Sequence, residues 1–275
     1  MLIFSSDFKA GCSPKTQEHL VLFEQGLESL RGMAGGLTLA WNPEIAEPRR
    51  LHNHYIDLLA AVYTTKFLLY SENLIEGLNR GNYFAYALNG RAILENVATL
   101  RYYLRHKYAP LLEGSTVDLQ KVIATHDVHL RGSRFDWEAF ATGRFQEMAE
   151  ESLNNLKKKK DLEKQMPKMR AKLRTQQINV ITCIEKWGME TPAVMLCYDF
   201  FCELVHPNIG SSFLTSSIKD GSLVFGITDG EPAGHRMFEQ TFLWLLSIGY
   251  KEFGNQIMCL VLMKYQQDEL DAGVN

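Results

Sequence analysis

Asn82 to Lys107 reads NYFAYALNGRAILENVATLRYYLRHK, a stretch with no proline in which apolar side chains return every three or four positions. Residues at that interval lie along one side of an α-helix, because 3.6 residues complete a turn. Two such seams run here. Phe84, Leu88, Arg91, Glu95, Ala98 and Tyr102 make one, and Ile93, Val97, Leu100 and Leu104 make the other. A helix that is apolar on two sides is enclosed by neighbours. The reading that follows is a helical bundle built around this segment, with Arg91 and Glu95 at least partly inside it. Buried charges must be paired. These two are four residues apart and can meet, and the guanidinium donors left over call for a partner from another helix.

Outward from this segment the same three-and-four spacing covers roughly 16–33, 49–79, 116–131, 135–160, 168–187, 192–206 and 233–268, so the class is mainly α. Between the first two helices, Gly35-Gly36, Pro43 and Pro48 mark a connector. This divides the chain into an N-terminal helix-and-connector arm, 1–48, and a bundle domain, 49–275. The strand signal falls near 213–228, where FLTSSI and SLVFGIT flank Asp220-Gly221, a pair suited to the positive φ angles of a tight hairpin turn. The expected architecture is a helical bundle with one β-hairpin inserted before the long C-terminal helix.

A partner for Arg91 and Glu95 is offered by the segment ending DFFCELVHPN. Asp199, Glu203 and His206 are spaced i, i+4, i+7 on a helix that otherwise carries Val194, Leu196, Cys197, Phe200, Phe201, Leu204 and Val205. Two polar stripes on two apolar helices invite mutual burial. Pro207 disfavours helical geometry at His206, so the helix stops there and the imidazole sits at its C-terminal end, where the helix dipole and a nearby Glu95 or Glu203 favour the protonated ring. His206, Arg91 and Glu95 are therefore the candidate catalytic group, with Asp199, Glu203, Tyr198 and Asn208 around it. The plainer alternative is a structural clasp closing a core helix.

The bulk composition sets bounds on the rest. Net charge is −3, which gives no general attraction for nucleic acid or an anionic membrane. Glu151 to Gln177 departs from this, with nine basic and three acidic residues. Lys157, Lys160, Lys164, Lys168, Arg170, Lys172 and Arg174 there are the candidate nucleic-acid contacts, against the alternative of a solvated helical face. Five cysteines without a C-x-x-C pair suit a reducing cytoplasm. Asp7 and Lys9 interrupt any secretory leader in MLIFSSDFKAGCS, and the apolar runs near the C-terminus are too short to cross a bilayer. A cytoplasmic homo-oligomer with no membrane partner is expected. Glu203-x-x-His206 occurs once where helix-borne iron sites use two such motifs, and His126 and His129 read as an exposed pair. No metal is expected, and no cofactor, since no phosphate-binding glycine loop or hydrolase signature occurs.

GRAILENVATLRYYL, followed about a hundred residues later by YDFFCELVHPN, a hairpin and a long last helix, resembles uncharacterised bacterial helical proteins grouped with the HEPN-like (nucleotide-binding) bundles. The resemblance covers roughly 50–265 and implies Arg91, Glu95, Tyr198, His206, Pro207 and Asn208 as the matching positions. HEPN ribonucleases use an Arg followed by four to six residues and a His. Upstream of His206 the needed arginine is missing, since 199–201 are Asp, Phe and Phe, while the literal spacing occurs at Arg101–His106 and Arg49–His54. Two functions follow as expectations. One is a binding or regulatory role around a buried Arg/Glu/His network. The other is an RNA-cleaving effector of a phage-defence or toxin system, with RNA or a nucleotide as partner and His206 or His106 as acid or base.

Overall fold

The computed structural model describes residues 3–35, 38–40, 44–113, 117–131, 142–144, 147, 150, 178–206, 209–212, 216–225 and 231–272. Each early helix begins at a side-chain cap. Ser5 Oγ accepts from Phe8 N at the start of α1 (Ser6–Gly11), and Ser13 accepts from Thr16 N at the start of α2 (Pro14–Ala34). The Glu47 carboxylate takes the N–H groups of Arg49 and Arg50 at the start of α3 (Pro48–Asn79). Proline stands in the first turn of α2 and α3, where its missing N–H costs nothing. Asn82 caps α4 (Tyr83–Tyr103) by accepting from Ala85 N. The turn before it needs Gly81, whose φ is +67°.

α4 does not stop cleanly. Leu104–Tyr108 widens into a π segment and runs into the short α5 (Ala109–Leu112). Pro110, which has no N–H to give the preceding turn, stands just beyond the widening. Next come α6 (Leu119–Arg131), α7 (Val180–Glu190) and α8 (Ala193–Val205), which ends at His206 in extended conformation before Pro207. A four-residue helix, α9 (Ile209–Ser212), precedes β1 (Ser216–Lys219) and β2 (Ser222–Phe225). The strands pair antiparallel, Ser216 opposite Phe225 and Lys219 opposite Ser222, with Asp220 and Gly221 both at positive φ. The chain closes with α10 (Glu231–Leu245), a second π segment at Leu246–Tyr250 and α11 (Lys251–Ala272). The fold is mainly α.

α4 is the hub. It packs against α3, α7, α8, α10 and α11 and buries Tyr86, Ala87, Ile93, Leu94, Val97, Ala98 and Leu100. Phe67 of α3 stacks on Phe253 of α11 with centroids 3.9 Å apart, and Tyr86 meets Phe201 and Phe238 edge-on. The N-terminal segment belongs to this same core rather than forming an arm. Phe4, Phe8 and Phe23 pack on Phe238 and Phe242, while Asn79 at the end of α3 accepts from Ser5 N and donates to Ile3 O. Among the described residues, no helix is long and apolar enough to cross a membrane. Of the helix expected at 135–160 only residues 142–144, 147 and 150 are described, and the part of 168–187 before residue 178 lies outside the described residues.

Candidate functional site

Among the described residues, three clusters of ionisable side chains are built on α4. The first is the crossing of α4 and α8, where Gly90 lies so close to the Phe201 ring that a Cβ would come within 2.6 Å of Cζ. Beside this contact, Arg91 Nε donates to Glu95 Oε1 at 2.8 Å, and Tyr198 Oη donates to the same oxygen at 3.0 Å. The guanidinium carbon lies 5.5 Å from the Tyr198 ring centroid. The hydrogen bond to Glu95 raises the Arg91 pKa above its ordinary value, and burial, with the Glu95 charge behind it, pushes the Tyr198 phenol up. Arg91 and Glu95 are only partly covered, each side chain 29% exposed. Phe84 and Leu88 on the same seam face outward.

The other residues expected there do not join this triad. Asp199, Glu203 and His206 are exposed. α8 buries Val194, Cys197, Tyr198, Phe201 and Leu204 against α4, and at 100° per residue the 199, 203 and 206 positions fall on the far side of the helix. The Arg91–Glu95–His206 network is thus corrected to Arg91–Glu95–Tyr198. Asn208 and the basic set Lys157, Lys160, Lys164, Lys168, Arg170, Lys172 and Arg174 lie outside the described residues.

The second place is a histidine–tyrosine cluster between α3, α6 and the end of α4. His52 Nε2 is hydrogen-bonded to Tyr108 Oη at 2.9 Å, His129 Nε2 to Tyr63 Oη at 2.8 Å, and His126 Nδ1 to Tyr103 Oη. Tyr103 and His129 stack at 3.8 Å, and Tyr55 Oη donates to Asp127 at 2.7 Å. His126 is fully buried rather than exposed. Burial above all, then the neighbouring His52 and His129, lowers its pKa to about 3; burial, then Lys66, lowers that of His129 to about 3. Both rings are neutral at physiological pH. Among the described residues no group of three or more His, Cys, Asp or Glu is placed to hold a metal ion.

The third place centres on Arg101, marked in the sequence by its spacing to His106. Arg101, on the buried α4 face with Leu94 and Val97, has a side chain only 5% exposed. Its Nη1 and Nη2 donate to the two oxygens of Glu190 at 3.2 and 2.6 Å, and its Nε donates to Glu252 at 3.0 Å. The guanidinium carbon lies 5.9 Å from the Trp187 ring centroid. Arg105 Nη1 adds a bond to Glu190 at 2.9 Å. Hydrogen bonding to Arg101 holds the Glu190 carboxyl below its usual range, and the charges of Arg101, Arg105 and His106 act in the same direction. Beside this centre opens a cleft of about 260 Å³. Trp187 and Thr191 line it from the end of α7, and Ser247, Ile248, Lys251, Glu252 and Asn255 from the last helices. The widened Leu246–Tyr250 turn forms part of its wall, in keeping with the frequent use of π segments at functional sites.

The signal for this site was present in the sequence. Val97, Arg101 and Leu104 are spaced four and three, so Arg101 interrupts an otherwise apolar seam. No family model, curated protein or solved structure matches the chain.

Proposed function

We propose that this protein works by binding rather than by covalent catalysis, in a regulatory or sensing role, and that its ligand occupies the cleft lined by Trp187, Thr191, Lys251 and Asn255. The observation that carries this is the adjacency of that cleft to a buried, doubly paired guanidinium: two of the lining side chains, Trp187 and Glu252, also contact Arg101. Concave sites with an aromatic wall and a few fixed polar groups are where small molecules bind. The remaining chemistry favours binding too. Burial pushes the thiols of Cys12, Cys183 and Cys197 up to about 11, 12 and 12, which leaves none a nucleophile at neutral pH. The test is a thermal-shift screen of small metabolites against the wild type and Asn255→Trp, which fills the mouth of the cleft. A compound that raises Tm in the wild type and not in the variant supports the reading. Stabilisers that act equally on both contradict it.

One observation favours a second reading, the HEPN-like RNA-cleaving effector. His106 follows Arg101 at the family's spacing, and its charge is felt at the same Glu190 carboxylate that Arg101 holds. In that reading His106 is the acid or base, RNA is the substrate, the basic 157–174 stretch grips it, and the protein acts as a cytoplasmic homo-oligomer. Incubation of mixed RNA with the wild type, His106→Ala and His206→Ala separates the two. RNA loss that His106→Ala alone abolishes favours cleavage, and intact RNA in all three samples leaves binding.

A further inference from the structure

We infer that the ligand of this cleft presents an oxyanion, a phosphate or a carboxylate group, and that Glu190 occupies the oxyanion's position in the free protein. The inference rests on the binding reading above and names the chemistry of that site. Its basis is the convergence of three guanidinium N–H donors on one carboxylate: Arg101 Nη1 and Nη2 at 3.2 and 2.6 Å, and Arg105 Nη1 at 2.9 Å. An arginine fork engaging both oxygens of one group matches the planar carboxylate and two oxygens of a phosphate. The receptor is therefore already assembled, with the chain's own side chain in it.

The two carboxylates on Arg101 are not equivalent. Glu252 is 20% exposed, takes the Nε from inside the bundle and also accepts from Gln256 at 3.4 Å, so it fixes the guanidinium whether or not Glu190 is present. Glu190 is 46% exposed and is the last residue of α7. Its side chain can rotate into water only by giving up the bonds it takes from Arg101 and Arg105. Arg101 has no such freedom, because its side chain is 5% exposed and a buried guanidinium with its fork empty is strongly disfavoured. Departure of Glu190 therefore requires another anion to arrive.

The surroundings suit one. Lys251, exposed on the cleft wall, brings a further cation to the cleft, and with Glu190 withdrawn Glu252 is the carboxylate that remains hydrogen-bonded to Arg101. Trp187, 3% exposed with its ring 5.9 Å from the guanidinium carbon, backs the cleft, and Thr191, Ser247 and Asn255 offer polar atoms along its lining. Binding is an exchange of one anion for another on a preformed fork, so affinity in the wild type is reduced by the fraction of molecules in which Glu190 holds the site.

The experiment is isothermal titration calorimetry of the full chain with inorganic phosphate and, separately, succinate, at constant ionic strength set by chloride. Wild type, Glu190→Gln and the double variant Glu190→Gln/Arg105→Ala are compared. Glu190→Gln keeps a neutral acceptor on Arg101 and, like the half-exposed Arg105, is no core position, so the variants fold. Glu190→Gln should tighten at least one anion by about tenfold, the weight of one charge-assisted pair, and the added Arg105→Ala should reverse most of that gain. A preference for phosphate over succinate identifies a phosphate-bearing ligand, and the opposite preference a carboxylate. Absence of binding to Glu190→Gln, or equal binding to all three proteins, overturns the inference. If it falls while the thermal-shift screen yields a neutral ligand blocked by Asn255→Trp, the cleft reading survives and only the anion assignment is lost.

Discussion

Acidification should unfold this protein through its histidine–tyrosine cluster. His126 and His129 are held neutral, their pKa values lowered from an ordinary 6.5 to about 3, chiefly by burial among Tyr55, Tyr63, Tyr103 and Tyr108. The unfolded chain takes up protons at both sites as pH falls through 6.5, and the native protein does not until near 3. Stability is therefore fully present above 6.5 and is lost progressively below it, by about 1.4 kcal/mol per pH unit for each histidine. At pH 5 each site costs about 2 kcal/mol, so the pair removes about 4 kcal/mol, a large share of the 5–15 kcal/mol typical of a folded domain. The carboxyl of Glu190 acts in the same direction but only at lower pH, since its range lies below 4.5. Urea unfolding followed by far-UV circular dichroism at pH 7.5, 6 and 5 measures the loss. His126→Asn starts less stable, having lost the Tyr103 contact, but should shed about half of the pH slope. A wild-type stability that is level from pH 7.5 to 5, or an unchanged slope in His126→Asn, would refute the reasoning.

Other substitutions separate rigid from yielding contacts. Gly90→Ala drives a methyl into the fully buried Phe201 ring and should cost about 1–3 kcal/mol in urea unfolding. Gly188→Ala would drive a methyl into Cγ of half-buried Met195, whose side chain must change rotamer, and should cost about 1 kcal/mol, less than Gly90→Ala because Met195 is flexible and Ala gains helix propensity. Arg101→Met removes a buried guanidinium and leaves the part-buried Glu252 carboxylate without its ion-pair partner, and should cost about 3 kcal/mol, whereas Arg105→Ala, removing a half-exposed arm of the same cluster, should cost about 1 kcal/mol or less. Equal losses for the two arginines would contradict the assignment of Arg101 as the anchored member.

Periodicity made the bundle legible because apolar spacing reports which residues face inward, and the 82–107 seam correctly singled out the helix on which the others pack. It also marked Arg91 and Glu95, whose i, i+4 pairing is a local geometric consequence. What spacing does not report is azimuth relative to neighbours. On α8 the polar stripe at 199, 203 and 206 and the apolar stripe at 194, 197, 201 and 204 are both regular. Burial favours the apolar one, so His206 turned outward and Tyr198, on the buried side, reached Glu95 instead. The break at 35–48 looks like a boundary in composition, yet Phe4, Phe8 and Phe23 on one side share a core with Phe67 and Phe253 on the other. The pairing of Arg101 was obscured for another reason. Its partners Glu190 and Glu252 lie 89 and 151 residues away, and no local pattern joins them.

The most direct test of the account is a crystal structure of the protein with the best compound from the thermal-shift screen. Electron density for the ligand between Trp187, Lys251 and Asn255, with Glu190 rotated away from Arg101, is the predicted result. Ligand density elsewhere, over a cleft holding only water and an undisturbed Arg101–Glu190 pair, would contradict it.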